Sequence, residues 1–261
     1  MRFAILSDIH GNPVALEAVL SDIEEKGGAD SFLVLGDLVS HGYDPVTVLE
    51  RLTKLSDAHF VRGNADRWTL TGDWGGPRIT VAKAQVDPAL VSLVAEVARA
   101  FGWTHGYLSA TGWIDWLKGL PLEQRIALPD GTRLLGVHAA PGRDDGADIT
   151  PELPDEELAE LIEGCEADLV CVGNSHWPSD RTVGDVRVLS VGSVSNPLPW
   201  LTDKRPSYAL LEADSSGYQL ELHRAFLNVD RLIDAIRQSH VPNAGWLINL
   251  YSDSENIITT S

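Results

Sequence analysis

Five short polar motifs carry the side chains of this chain that could do chemistry together. They read SDIHGN, GDLVSHG, GNAD, VHAAPG and GNSH, and they combine carboxylates, imidazoles and amides. The candidate metal ligands within them are Asp8, His10, Asp37, Asn64, His138, Asn174 and His176. Such oxygen and imidazole ligands suit first-row cations, in contrast to the soft ligands of a thiolate site. The motifs therefore predict a centre for Mn²⁺, Fe²⁺ or Fe³⁺, Co²⁺ or Zn²⁺.

Each motif follows an apolar stretch with the composition of a buried β-strand. In chain order the stretches are RFAIL, SFLVLG, HFVRGN, RLLGVH and ADLVCVG. Open α/β sheets place their ligands at the carboxyl ends of the strands. A single DxH or GD pair would most simply be a cap or a turn, but five such motifs after five strands indicate one shared site.

The rest of the chain alternates between helical and extended patterns. Asn12 and Pro13 predict the start of a helix, and DPVTVLERLTKL and DEELAELIEGC predict two more. VRVLSVGS is a sixth strand. SYALLEAD and YQLELHRA alternate as the two strands of a β-hairpin. The pattern predicts an α/β fold with an antiparallel continuation near the C-terminus.

Residues at about 68–120 differ from this pattern. DPALVSLVAEVARAFG and ATGWIDWLKGLP predict two helices, so we expect a helical insert. Five of the eight tryptophans lie in it: Trp68, Trp74, Trp103, Trp113 and Trp116. The rings either bury the insert against the sheet or, in one or two cases, line a substrate pocket.

The net charge of −18 argues against non-specific binding to nucleic acids or anionic membranes. It does not conflict with a local positive centre such as a bound metal pair. The two cysteines, Cys165 and Cys171, form no disulfide framework, and no segment resembles a signal peptide or a membrane span. We expect a cytoplasmic protein that does not bind membranes. The sequence gives no indication of the oligomeric state.

Taken together, the motifs resemble those of the calcineurin-like metallophosphoesterases, which run D-x-H, G-D, G-N-H-D/E, H and G-H-x-H. The resemblance covers residues 1–66 and about 120–225. It is strongest to the bacterial branch labelled diadenosine-tetraphosphatase-like or protein-phosphatase-like, where a GSV…P turn and a SYALLE strand occupy similar places. It implies two packed mixed β-sheets flanked by helices, a four-layer α/β/β/α sandwich. The whole chain, 1–261, would be a single domain carrying the helical insert.

The resemblance also implies a site for two divalent or trivalent metal ions. Mn²⁺ is the expected ion, with Fe, Zn, Co and Mg as alternatives. The ligands form two groups joined by one bridging carboxylate: Asp8, His10 and His176 for the first metal, Asn64, His138 and Asn174 for the second, and Asp37 for both. Two cations about 3.5–4 Å apart share a nucleophilic hydroxide and neutralise charge on the phosphoryl oxygens.

Two departures from the family pattern bear on this site. Asn174 stands where G-H-x-H has a histidine, and a neutral amide is a weaker ligand for the later transition metals. We therefore expect a weaker second site that prefers harder ions such as Mn²⁺ or Mg²⁺. Ala65 stands where G-N-H-D/E has a histidine that protonates the leaving group. Either the leaving group is acidic, as in phosphoanhydrides and aryl esters, or another histidine acts, His41 before His105.

Three further residues complete the predicted site. Asp66 is expected to orient a metal ligand by hydrogen bonding, so the catalytic set is Asp37, His41 and Asp66. Arg67 and Arg143 follow two of the motifs, and a guanidinium suits phosphate oxygens. Each of the two arginines could equally be an ordinary surface residue.

The expected function is metal-dependent hydrolysis of a small phosphodiester, nucleotide or dinucleoside polyphosphate. One alternative is a protein phosphatase. Another is a catalytically impaired, metal-binding interaction protein of the same fold, with Ala65 and Asn174 as early losses. Six of the seven ligand positions keep the family residue, which favours the enzyme.

Overall fold

The computed structural model describes residues 1–73 and 81–252. The strands are β1 (Arg2–Leu6), β2 (Ser31–Val34), β3 (Ala58–Phe60), β4 (Glu123–Ala127), β5 (Arg133–Val137), β6 (Leu169–Val172), β7 (Ser179–Val183), β8 (Val186–Ser190), β9 (Ser207–Asp214) and β10 (Gly217–Arg224). The α-helices are α1 (Pro13–Glu25), α2 (Pro45–Leu52), α3 (Asn64–Thr71), α4 (Val81–Val86), α5 (Val91–Thr111), α6 (Ile114–Lys118), α7 (Asp155–Ile162), α8 (Val229–Gln238) and α9 (Ala244–Ser252). A short 3₁₀ turn, Pro88–Leu90, precedes α5.

The strands described form two five-stranded mixed sheets. In the first sheet the order is β10-β9-β1-β2-β3, with β1, β2 and β3 parallel and the β9–β10 hairpin antiparallel to them. In the second the order is β4-β5-β6-β8-β7, with β5, β6 and β8 parallel and antiparallel strands at both edges. The predicted hairpin is confirmed, and its first strand extends the sheet by pairing with β1.

Alternation along the strands divides the apolar side chains between two layers of the core. In β1, Phe3 and Ile5 point into the layer between the sheets, where Leu33 of β2 meets Leu134 and Leu169 of the opposite sheet. Ala4 and Leu6 point outwards, against α1, α2, α8 and α9. On the far side of the second sheet, α7 packs on β5 and β6. This four-layer arrangement confirms the predicted sandwich of two mixed sheets flanked by helices.

Local sequence signals account for where the first two helices start. Asn12 accepts a hydrogen bond from the amide of Ala15 at 3.1 Å and caps α1, as predicted. Asp44 caps α2 by accepting from the amide of Thr47 at 3.1 Å. A proline opens each helix, where its missing N–H is not needed. Both helices are thereby aligned behind the first sheet.

The structure adds elements that the hydrophobic pattern did not predict. Strands β4 (EQRIA) and β7 (SDRTV) lie at sheet edges with partly exposed, polar side chains, so they contain no apolar run. Helix α3 begins within the GNAD motif, and α8 also went unpredicted. No helix in the described ranges is both long and apolar enough to span a membrane.

Within the described residues, the segment predicted as a helical insert forms α4, α5 and α6. Helix α5 runs over 21 residues, longer than the pattern predicted. Trp103, Trp113 and Trp116 are half-buried and pack against the apolar cluster outside the first sheet, as the packing interpretation expects. Trp68 instead faces the cavity described below. Trp74 lies outside the described residues.

Candidate metal centre

The predicted ligands converge at one edge of the two sheets. Asp8 and His10 follow β1, Asp37 follows β2, and Asn64 opens α3 just after β3. On the second sheet, His138 follows β5, and Asn174 and His176 follow β6. Except for the partly buried Asn174 and His176, these residues are buried. The chain thus brings all seven predicted ligands from five separate strand ends into one region.

The backbone at this centre adopts an unusual conformation. Positive φ values between 49° and 63° occur at six of its polar residues: Asp8, His10, Asp37, His41, Asn174 and His176. Left-handed backbone is uncommon for residues with a side chain and persists only where the surroundings enforce it. Hydrogen bonds between neighbouring loops do so here, such as His10 N to Asp37 O at 2.8 Å and Asp8 N to Gly36 O at 3.1 Å. Such residues cluster at functional sites.

One group of ligand atoms lies between β1 and β6. His176 Nε2 is 3.2 Å from Asp8 Oδ1 and 3.2 Å from His10 Nε2. His10 Nε2 is 3.8 Å from the same Asp8 oxygen. These three atoms lie within 4.8 Å of one another, close enough to share a single ion.

A second group lies between β2, α3 and β5. His138 Nε2 is 3.4 Å from Asp37 Oδ1 and 2.8 Å from Asn64 Oδ1. The other Asp37 oxygen, Oδ2, is 3.7 Å from His10 Nε2. One oxygen of Asp37 therefore faces each group, which is the arrangement that a bridging carboxylate requires.

The three ligand histidines are oriented in the same way. Nδ1 donates to a backbone carbonyl in each: His10 to Ser40 at 2.9 Å, His138 to Leu35 at 2.6 Å, and His176 to Asn196 at 2.7 Å. A carbonyl oxygen only accepts, so the hydrogen of each neutral ring is on Nδ1 and the lone pair is on Nε2. Backbone partners of this kind fix the ring and the tautomer of metal-binding histidines.

The electrostatics of the centre favour added positive charge. Burial raises the pKa of Asp37 to about 7; His138 opposes this shift, whereas Asp8 and Asp66 add to it. Burial alone would lower the pKa of His176, but Asp8 outweighs it and raises that pKa to about 9. Two Nε2 lone pairs at 3.2 Å would repel each other unless a proton or a cation lies between them.

The donor set fits divalent metal ions. Asp8 Oδ1 is buried and lies 3.2 Å from His176 Nε2, so a neutral His176 would leave a costly unpaired carboxylate oxygen unless a cation were bound there. Three Nε2 lone pairs and two carboxylates point to the same place as this oxygen. Imidazole nitrogen with carboxylate oxygen is the ligand combination of zinc, manganese and iron sites.

Asp66 acts on the backbone around the centre. Its carboxylate accepts from the amides of Gly63 at 3.0 Å and Leu38 at 2.9 Å. It therefore caps α3 and holds the turn that follows Asp37, so its action on the ligands is through the backbone. Ala65 is buried beside the centre, and its amide donates to Asp37 Oδ1 at 2.8 Å.

A cavity of about 620 Å³ opens over the centre. Its wall includes His10, Asp37, Asn64, Asn174 and His176, together with Asp148 and Glu152. Within the described part of the chain, neither arginine nor lysine lines it. The described wall therefore offers a phosphate neither lysine nor arginine, so the positive charge would have to come from cations at the centre or from a protonated histidine such as His176.

His41 lines this cavity, as the general-acid hypothesis requires. Its ring centroid lies 5.8 Å from that of His10 and 4.8 Å from that of Phe101. Burial, with a smaller effect of His176, lowers the pKa of His41 to about 4. A neutral ring at pH 7 lacks the extra proton that an imidazolium acid would donate. His105 binds the carbonyl of Thr69 at 2.9 Å and is not part of the cavity wall.

The two predicted phosphate-binding arginines lie elsewhere. Arg67 pairs with Asp144, with Nε 3.1 Å from both carboxylate oxygens, and with Asp145 at 3.0 Å. Arg143 is exposed. Neither belongs to the described wall of the cavity. Acidic residues after β5 provide the partners of Arg67, and no local pattern in the sequence indicates such pairing.

Both the side chain and the backbone amide of Asn174 make hydrogen bonds. Its amide nitrogen donates to Asp148 Oδ1 at 2.8 Å and to the carbonyl of Ala147 at 3.0 Å. Its backbone amide donates to Asp8 Oδ2 at 3.0 Å. The side chain is thus turned towards the 147–148 loop through its nitrogen, and ligation by its oxygen stays a prediction.

Sequence reasoning missed several residues of the site. The backbone carbonyl of Asn196 accepts a hydrogen bond from His176 Nδ1. The hydroxyl of Tyr251 in α9 accepts one from the backbone amide of Asn196 at 2.9 Å. Trp177, Trp200 and Trp246 line the cavity. Asn196 follows β8, so the strand-end rule could have found it; nothing in the local pattern indicates Tyr251 or Trp246.

Known proteins resemble the chain over most of its length. An uncharacterised protein of Methanocaldococcus jannaschii is 26% identical over 263 residues, covering 94% of each chain. A symmetrical bis(5'-nucleosyl)-tetraphosphatase of Paracidovorax citrulli is 30% identical over 164 residues, which cover 62% of this chain and 52% of that protein.

Two crystal structures share the fold. A metallophosphoesterase from Sphaerobacter thermophilus aligns with a TM-score of 0.71 and 26% identity, covering 97% of this chain and 100% of that one. A hypothetical protein from Pyrococcus horikoshii aligns with a TM-score of 0.75 and 21% identity, covering 95% and 96%.

The sequence model of one family matches residues 1–216, which contain every predicted metal ligand. That family is described as the calcineurin-like phosphoesterase superfamily domain. The match runs through both sheets and confirms the resemblance that the five motifs indicated. The chain belongs to the calcineurin-like phosphoesterase superfamily and is a hydrolase that acts on phosphate esters.

Proposed function

We propose that the protein is a metal-dependent phosphoesterase that acts on a small phosphodiester, a nucleotide or a dinucleoside polyphosphate at a two-metal centre. The observation that carries the proposal is the convergence of three histidine Nε2 atoms on Asp8 and Asp37. We propose Mn²⁺ as the ion. The two partnerless buried thiols, Cys165 and Cys171, are typical of a reducing compartment, so we propose that the protein acts in the cytoplasm.

The residues of the chain would prepare the centre for an incoming phosphate. When bound, a pair of divalent cations lowers the pKa of water and neutralises charge on the phosphoryl oxygens. Asp37 would orient the two halves of the centre, since one of its oxygens faces each. Asp66 fixes the turn that follows Asp37, and the backbone carbonyls behind the histidines prevent the rings from rotating.

The surroundings of Ala65 favour substrates with an acidic leaving group. Ala65 is buried beside Asp37 and has no proton to give. His41 is neutral at pH 7. General acid catalysis is worth about 10²–10⁴-fold, so an alkoxide without it would leave slowly. A phosphoanhydride or an aryl ester avoids this requirement, and the named activity of the Paracidovorax citrulli relative, which is on a dinucleoside tetraphosphate, supports a nucleoside phosphoanhydride.

The experiment is hydrolysis of bis-p-nitrophenyl phosphate beside p-nitrophenyl phosphate in the presence of Mn²⁺. We expect diester turnover that Asp37→Asn lowers by at least about 100-fold, because outer-shell changes alone cost 10–100-fold. Asp185→Asn is the matched control, since it removes the same charge from the exposed turn between β7 and β8. That variant should keep full activity.

Other outcomes discriminate between the alternatives. A preference for the monoester would favour a phosphatase. Folded protein that turns over neither compound with Mn²⁺, Fe²⁺, Co²⁺, Zn²⁺ or Mg²⁺ would contradict the proposal and favour a metal-binding interaction protein.

A further inference from the structure

Tryptophans surround the opening of the cavity over the metal centre. Trp200 is 65% exposed and Trp246 is 49% exposed, and no other tryptophan in the described ranges is exposed. Both line the same cavity, together with the half-buried Trp68 and Trp177. Large aromatic side chains left in water carry unfavourable apolar exposure. Their concentration at one opening therefore indicates a ligand with an apolar face.

The aromatic rings adjoin the histidines of the centre on two sides. Trp177 directly follows His176, and its ring centroid lies 6.4 Å from that of Trp200 at an interplanar angle of 66°. The ring centroid of Trp246 lies 6.2 Å from that of His41, and the His41 centroid lies 5.8 Å from that of His10. Because Trp177 and Trp200 meet at a corner and do not stack, the exposed Trp200 retains surface for a planar ligand.

The polar part of the wall limits the charge of that ligand. Asp148 and Glu152 line the cavity, and the described wall contains neither arginine nor lysine. Phosphate groups placed beside these two carboxylates would be repelled. A cavity of about 620 Å³ is large enough for a nucleotide. A nucleotide, in which a planar base is joined to phosphate, fits these conditions.

We infer that Trp177, Trp200 and Trp246 bind the base of a nucleotide whose scissile phosphate lies at the metal centre. The inference rests on the proposed function for its reaction, and it selects nucleoside phosphates from the substrates named there. The base stacks on the open surface of Trp200. The specificity of the enzyme would then come from aromatic contact and not from charged side chains.

The test compares ligands with and without a base. Full-length protein loaded with Mn²⁺ is titrated calorimetrically with adenosine 5'-monophosphate and with ribose 5-phosphate. Stacking of a base on an aromatic side chain makes binding about 5- to 100-fold tighter. We expect wild-type protein to prefer the nucleotide within this range. Trp200→Ala should weaken binding of the nucleotide at least about fivefold and leave ribose 5-phosphate unchanged.

A matched control is available at another exposed aromatic residue. Phe226 is 65% exposed, like Trp200, and lines a different groove beside α1. Phe226→Ala should alter neither affinity. Phenyl phosphate serves as a third ligand, because binding as tight as that of the nucleotide would point to aryl phosphates and overturn the assignment to nucleosides.

The result is independent of turnover. Equal affinity for the nucleotide and ribose 5-phosphate, or a Trp200→Ala variant that weakens both alike, would overturn the inference. So would a lack of binding of either ligand at millimolar concentration. If the base preference is absent but bis-p-nitrophenyl phosphate is hydrolysed, only this inference fails. If the preference is present without hydrolysis, only the proposed function fails.

Discussion

At the residue scale, Gly63 shows how closely the centre is packed. A Cβ atom at this position would overlap both the backbone nitrogen and the Oδ1 of Asp37. Gly173 is similar, because its Cβ would overlap Ser7 Oγ. The absence of a side chain at these two positions lets the backbone of one strand end approach the carboxylate of the next. This close approach is what brings the ligand atoms within a few ångströms.

Gly63→Ala should therefore destabilise the protein. Overlap with a neighbouring backbone typically costs about 1–3 kcal/mol, because the rigid neighbour must move. Gly102→Ala is the matched control, since its Cβ would meet nothing within 4 Å on the exposed face of α5. There we expect the free energy of unfolding to rise by about 0.5–1 kcal/mol, because alanine loses less backbone entropy on folding than glycine does. Urea unfolding measures both, and a Gly63→Ala variant as stable as wild type would contradict the close approach.

The three ligand histidines present a common design at the same scale. A backbone carbonyl receives each Nδ1 and leaves each Nε2 lone pair facing the centre. Left-handed backbone at Asp8, His10, Asp37 and His176 aims these groups inwards. Hydrogen bonds from the neighbouring loops maintain that conformation. The backbone thus sets the geometry of the predicted ligands.

At the element scale, α9 connects the end of the described chain to the candidate site. Its Tyr251 is buried, and the hydroxyl accepts from Asn196 N at 2.9 Å and from Asn12 Nδ2 at 3.4 Å. Ser195 Oγ lies 2.9 Å from the same hydroxyl. The carbonyl of Asn196 in turn accepts a hydrogen bond from His176 Nδ1, and its side-chain amide nitrogen donates one to the carbonyl of His41 at 3.2 Å. One helix thereby supports two histidines of the cavity.

Tyr251→Phe should reveal this support. The variant keeps the packed ring but leaves buried donors unpaired, which costs about 1–3 kcal/mol. We expect a lower free energy of unfolding in urea, and weaker Mn²⁺ binding because Asn196 no longer fixes His176. Tyr107→Phe, on the partly exposed face of α5, is the control and should change neither quantity. If Tyr251→Phe changed neither stability nor Mn²⁺ affinity, α9 would not support the site.

At the scale of the whole molecule, the apolar layer between the sheets joins the two halves of the site. Asp8, His10 and Asp37 belong to turns of the first sheet, whereas His138 and His176 belong to turns of the second. Leu33 is fully buried between the sheets, where its side chain meets Gly136 of β5. We propose that the chain, including the helical insert, is a single domain, because neither sheet can cover its inner face alone.

Leu33→Ala tests that proposal. Truncating a buried leucine costs about 2–5 kcal/mol, and both sheets should lose stability together. We expect one unfolding transition, shifted to lower urea concentration, with coincident curves from circular dichroism and tryptophan fluorescence. Leu222→Ala on the exposed side of β10 is the control and should shift it little. Two separate transitions would show that the sheets unfold independently and would contradict a single domain.

Much of the fold was predictable because its signals are local. Buried strands such as β1 and β6 are continuous apolar runs, and α1 begins at a cap and a proline. Edge strands β4 and β7 have exposed faces and carry no such run. The start of α3 coincides with a site motif, so the same residues were assigned to a strand end. The two edge strands were missed because the strands that stabilise them lie elsewhere in the chain, whereas α8 has a local signal, the Asn228 cap, that could have predicted it.

The sequence by itself determined the α/β class, the family and the convergence of the predicted metal ligands. A residue directly after a buried strand lies at the carboxyl edge of the sheet, so recognising the strand is enough to place it there. Only the tertiary structure decided that Arg67 pairs with Asp144, that Asn174 pairs with Asp148, and that Trp200 and Trp246 share one cavity. These contacts join residues that lie far apart in the chain. No local periodicity encodes them, because they arise only when packed sheets and helices bring distant loops to the same edge.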